Sequence, residues 1–101
     1  MNRKDLIRWA MYGVKLEGAS ASRDRLILVH LVLQWNEEHD VTFPTIPDIA
    51  SALGISTDPV RRGLRSLEEQ GAIVLEGYSD AVAHIPGGRR PRVWKFTAGG
   101  K

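Results

Sequence analysis

At 101 residues, 43% hydrophobic and 26% charged, the chain has the composition of one small globular domain, too short for a core plus a separate catalytic module. It has no cysteine, which excludes disulfides, thiol catalysis and cysteine-based zinc sites and fits a reducing cytoplasm. The net charge of +2 is uneven: residues 57–101 carry eight Lys/Arg against five Asp/Glu and residues 1–56 six against seven, so a polyanion would be met by the C-terminal part.

Residues 5–16 place Leu6, Ile7, Ala10, Met11 and Val14 at spacings of three and four, which predicts an amphipathic helix with Arg8 and Lys15 on its other side. Asp5, Arg8 and Lys15 also interrupt the apolar run, which argues against a signal peptide. GASAS breaks the pattern, and a second helix is expected over residues 22–38. Its apolar centre, LILVHLVLQW, is ten residues long, about half of what a membrane span needs, so it reads as the buried helix on which the others pack.

DVTFPT, closed by Pro44, predicts a short extended segment at a sheet edge. IPDIASALG carries Pro47 and Asp48 as helix-start signals and Gly54 as a stop, giving a helix of about two turns. Ser56 or Thr57 then caps a longer helix to Gln70, ended by Gly71. Pro59 falls in its first turn, where a missing N–H costs nothing. AIVLEGY and RVWKFT predict two strands of a hairpin whose long tip, SDAVAHIPGGRRP, is basic. Trp94 and Phe96 alternate onto one face and are expected in the core rather than stacked on bases.

Helix, central helix, short strand, helix, turn, helix and hairpin follow one another in the order of a winged helix-turn-helix, with Ala50 small at a helix crossing and Gly54 in the turn. STDPVRRGLRSLEEQG, residues 56–71, resembles the recognition helix of gluconate-repressor-type regulators, whose pattern is Ser-x-Thr-Pro-Val-Arg-x-Ala-Leu-x-x-Leu and then an acidic stretch to Gly. Ser56, Pro59, Val60, Arg61, Leu64, Leu67 and Gly71 match; Asp58 replaces the threonine and Gly63 the alanine. That family's large ligand-binding domain has no counterpart in this sequence. Residues 23–97 are also similar to the winged domains of plasmid and phage replication initiators, through Phe43 and Pro44, Ile49 and Ala50, Gly54, Ser56, Arg61 and Arg62, and residues 89–96. These resemblances imply an α+β fold and double-stranded DNA as partner, in transcriptional control or in replication or partition on a mobile element.

At 100° per residue, Val60, Leu64, Leu67 and Gly71 share one face of the last helix, while Asp58, Arg62, Arg65, Ser66 and Glu69 point away and Arg61 lies on the flank. The N-terminal part of such a helix enters the major groove, so Thr57, Asp58, Arg61, Arg62 and Arg65 are the candidate contacts, with Arg62 the better placed for bases unless Asp58 holds it. Arg89, Arg90 and Arg92 on the glycine-containing tip suit phosphate or minor-groove contact. The competing account is plain solvation: an Asp58–Arg62 pair at i, i+4 needs no ligand, and a basic hairpin tip can be only a charged tip.

The expected organisation is therefore one winged helix-turn-helix domain over residues 1–101, with residues 22–97 as core and residues 1–18 as an accessory helix. That helix either caps the domain or forms a homodimer contact. A protein-interaction module working through it is the alternative function. His30 is expected packed in the core and His39 at a solvated helix end, and His84 has no partner by spacing. Without a phosphate loop, nucleophile elbow or facing carboxylate pair, neither an enzyme, a cofactor nor a metal is expected, and the protein is expected in the cytoplasm with no membrane contact.

Overall fold

In the computed structural model, which describes residues 1–78 and 92–98, the first helix is opened by Asn2, whose side chain accepts the Asp5 N–H at 2.8 Å. Helix α1 covers Arg3–Arg8 and continues as a π-helical turn, Trp9–Gly13, closed by the Val14 N–H on the Trp9 carbonyl at 2.9 Å. It starts and ends earlier than the expected 5–16, since Asn2 provides the cap and Val14 is already extended. Leu6 and Ala10 are buried, whereas Met11 is exposed.

Helix α2, Ala21–Leu33, lies antiparallel to this first element, and each supplies an arginine to the other's C-terminal end. Arg25 donates to the carbonyls of Ala10 (2.7 Å), Met11 (3.2 Å) and Val14 (3.1 Å). Arg3 donates to those of Leu33 (3.0 Å) and Trp35 (3.2 Å), with its guanidinium 5.9 Å from the centre of the Trp35 ring. Both arginines thus satisfy carbonyls that have no intrahelical partner.

Ile27, Leu28, Leu31 and Val32 of α2 are fully buried, but Leu26 and Leu33 remain about half exposed, so the helix is not covered all round. It also stops short of the expected residue 38. An isolated bridge joins Asn36 to Val41, Asp40 turns the chain at φ 56°, and the Trp35 indole N–H donates to Asp40 Oδ1 at 3.0 Å. The extended segment is met by one residue: Thr42 exchanges backbone hydrogen bonds of 2.9 and 2.8 Å with Trp94, and its buried hydroxyl donates to the Leu31 carbonyl.

Helix α3, Ile46–Leu53, is capped by Thr45, whose side chain accepts from the Asp48 N–H, and ends at Gly54 in the left-handed region (φ 69°). Helix α4, Thr57–Glu69, follows a three-residue turn; Ser56 holds its N-cap position without a side-chain cap bond. Strands β1, Ile73–Tyr78, and β2, Arg92–Phe96, pair antiparallel from Ile73↔Phe96 to Tyr78↔Arg92, with an irregularity between Leu75 and Gly77. Val60, Leu64 and Leu67 of α4 close on Ile49, Ile27, Ile73 and Trp94, each essentially inaccessible to solvent. Phe96 is only partly buried and meets Trp9 edge to face at 5.9 Å. The architecture is α+β: a winged helix-turn-helix, three helices followed by a two-stranded hairpin, with the N-terminal helix packed on α2.

Candidate nucleic-acid interface

Apolar spacing and one glycine decide how α4 sits. Gly63 is buried against α2, and a Cβ there would overlap Ile27 Cδ1 and lie 3.3 Å from Asp24 Oδ1. The alanine of the gluconate-repressor-type pattern would therefore have to displace the Ile27 δ-methyl, and glycine stands here although it costs a helix roughly 1 kcal/mol relative to alanine.

Beside Gly63, Asp24 is 1% exposed. Its carboxylate takes the Arg23 guanidinium at 2.9 Å and the Ser66 hydroxyl at 2.6 Å. Ser66 in turn accepts from Gln70 Nε2 (2.8 Å), and Gln70 Oε1 accepts the Glu17 N–H (2.8 Å). One chain of polar contacts thus ties α4 to α2 and to the segment after the first helix. Ser66, expected to point away from the core, is instead on the flank that faces α2. Sequence spacing could not reveal Asp24, because an acidic residue in a first helical turn reads as a surface residue favoured by the helix dipole.

The opposite flank faces the hairpin. Arg61, Arg65 and Glu68 of α4 line a groove of about 260 Å³ together with Leu75 and Tyr78 of β1 and Arg92 and Trp94 of β2. Tyr78 is 57% exposed and is the Cα partner of Arg92 in the hairpin register. It is absent from the candidates read off the sequence, although the alternation of IVLEGY, with burial falling on every second residue, places it outward.

Of the sequence candidates, Thr57 is half-buried and Asp58, Arg61, Arg62 and Arg65 are exposed on α4, while Arg92 is exposed at the start of β2. Arg89 and Arg90, and His84, lie outside the described residues. The expected Asp58–Arg62 pair does not form. Asp58 Oδ1 instead takes Arg61 Nη1 at 3.1 Å, one turn apart, and Thr57 Oγ1 lies 3.4 Å from the same nitrogen. Arg62 and Arg65 have no ion-pair partner among the described residues.

Residues 22–73, slightly more than half of the chain, match the model of the family described as helix-turn-helix domain. The chain belongs to that family. No curated protein and no solved structure matches it. The matched helix-turn-helix segment takes in α2 from its second residue, α3, α4 and the first residue of β1, so the hairpin lies almost wholly beyond it. In helix-turn-helix proteins that bind DNA the second helix of the pair enters the major groove, and α4 holds that place in the order of elements here.

Charge order along α4 is not what helix stability alone favours. Glu68 and Glu69 occupy the last turn, where the dipole disfavours anions by roughly 0.3 to 1 kcal/mol each, while Arg61, Arg62 and Arg65 precede them. Arg61 and Arg62 fall in the N-terminal half of α4 and Arg65 just past its middle.

The histidines lie apart from this surface. His30 is half-buried and, with Gln34, Phe43, Pro44, Asp48 and Ala52, lines an open groove of about 480 Å³ between α2 and α3. Burial lowers its pKa, and the Asp48 carboxylate partly raises it back. His39 is exposed in the turn after α2. Among the described residues no three His, Asp or Glu side chains are grouped to hold a metal, and no described helix is long and apolar enough to cross a membrane.

Proposed function

We propose that this protein binds duplex DNA sequence-specifically, with α4 in the major groove and the hairpin segment 87–92 against the phosphate backbone. It would act as a small transcriptional regulator or as a replication or partition protein of a phage or plasmid. The observation that carries this is the groove between α4 and the hairpin, where Arg61, Arg65 and Arg92 come together from two elements, while Arg62 has no ion-pair partner among the described residues. A helix about 10–12 Å across fits a major groove about 12 Å wide, and its exposed arginines then meet base edges or phosphates. Tyr78, exposed beside Arg92, adds a hydroxyl donor at the same mouth.

Binding of the full chain to mixed-sequence duplex, measured across a salt series, tests the proposal. The affinity is expected to fall steeply as salt rises, because each neutralised phosphate releases counterions. No binding at low salt would refute it.

A specific feature favours a protein contact on the other side of the molecule. Tyr12 is 82% exposed, and Leu26 and Leu33, seven residues apart on α2, flank the partly buried Val29. This face is proposed as a homodimer contact, which would suit a palindromic site. Sedimentation of the protein alone and on DNA measures it: a monomer under both conditions would remove the dimer.

A further inference from the structure

We infer that Asp58 and Arg61 act as one unit that selects a G·C base pair, and that Asp58 sets the specificity of binding rather than its strength. The inference rests on the proposal that α4 enters the major groove. Asp58 is the only acidic residue of α4 ahead of Glu68, and its charge weakens attraction to phosphate, so a purely non-specific binder gains nothing from it. The helix dipole accounts for a carboxylate near this terminus but not for its hold on Arg61.

Arg61 Nη1 lies 3.1 Å from Asp58 Oδ1 and 3.4 Å from Thr57 Oγ1, so the guanidinium is held before a base arrives and loses less rotamer freedom on binding. The unit offers a donor beside an acceptor, both on side chains more than half exposed. On a G·C edge, the guanine O6 acceptor lies about 2.9 Å from the cytosine N4 donor, a hydrogen-bond length, with guanine N7 free for a second guanidinium N–H. Donor then meets O6 and acceptor meets N4. An A·T pair in the same place sets donor against donor. A T·A pair keeps the order but puts the thymine methyl where N7 would stand.

The test selects bound sequences from random duplexes with the wild-type chain, then measures D58A, R61A and the double variant on the selected duplex, on its single-pair variants and on mixed-sequence duplex. The expected result is one G·C position whose change to A·T or T·A costs the wild type about tenfold or more in affinity. D58A and R61A should each lose that penalty at the same position, and the double variant should lose no more than R61A. D58A should bind mixed-sequence duplex as tightly as wild type or tighter. Retention of the penalty by D58A, or its loss at a different position from R61A, overturns the inference while leaving DNA binding in place. A wild-type chain that binds no duplex at all refutes the underlying proposal instead.

Discussion

Two groups of arginines differ in what holds them. Arg3 and Arg25 donate to carbonyls at helix ends and Arg23 to the buried Asp24 carboxylate. Arg62, Arg65 and Arg92 have no such acceptor among the described residues, and Arg61 has only the exposed Asp58 and the half-buried Thr57. In the first group Arg3 and Arg25 fasten the N-terminal helix to α2 and Arg23 pairs with the carboxylate that holds Ser66 of α4, and the second faces outward on α4 and the hairpin. Counting charges along the chain separates the two groups poorly, since the first 56 residues carry six cations and the remainder eight. The acceptors around each guanidinium separate them well.

Substitution should divide the groups by what changes. R61A with R62A is expected to weaken duplex binding the most, by about 2 to 4 kcal/mol, and to flatten its salt dependence, with no change in the melting midpoint. Equal affinity in a titration would erase the distinction between the groups.

D24A should have the largest effect on stability, about 3 kcal/mol in a denaturant melt, because it leaves Ser66 and Arg23 without their acceptor next to a close helix crossing. R25A should cost about 1 to 2 kcal/mol by releasing the carbonyls of Ala10, Met11 and Val14. The duplex affinity of the folded R25A chain should equal that of wild type, and a loss of affinity would show that the anchoring arginines also contribute to binding.

G63A sharpens the same comparison on the inner flank of α4. An alanine raises helix propensity, yet its methyl overlaps the fully buried Ile27, so a net loss of about 1 kcal/mol is expected in the melt. A gain would mean that α2 and α4 can separate slightly at no cost.

The smallest effect concerns His30. Its pKa is lowered in the folded chain, so the unfolded chain binds the proton more readily as pH falls through the ordinary value near 6.5 toward the lower folded value. Stability should therefore be full above that ordinary value and decline across this window, and H30Q should remove that part of the decline. Melts over pH 5 to 8 on both proteins check it.

Much of the fold was legible because its signals are local. Pro47 and Asp48 mark the start of α3 and Gly54 its end, and three-and-four spacing puts Val60, Leu64 and Leu67 inward. Helix ends away from such markers depart from the periodicity. α2 stops at Leu33, and just beyond it the Trp35 indole donates to Asp40 where the chain turns, a contact between groups five residues apart that periodicity does not register. The outward face of α4 was legible at Arg62 and Arg65 but not at Ser66, whose hydroxyl is turned toward α2 by a carboxylate 42 residues earlier.

By itself, the sequence determined the order of elements, the inward stripe of α4 and the concentration of cations on α4 and at the hairpin, because backbone geometry and side-chain period are properties of neighbours along the chain. Only the three-dimensional structure decided that Asp58 engages Arg61 rather than Arg62, that Asp24 holds Ser66, and that Tyr78 and Arg92 share a groove with Arg61 and Arg65. Rotamer choice within one turn settles the first of these, and the other two need elements from distant parts of the chain brought together, which packing around Ile27, Leu64 and Trp94 accomplishes.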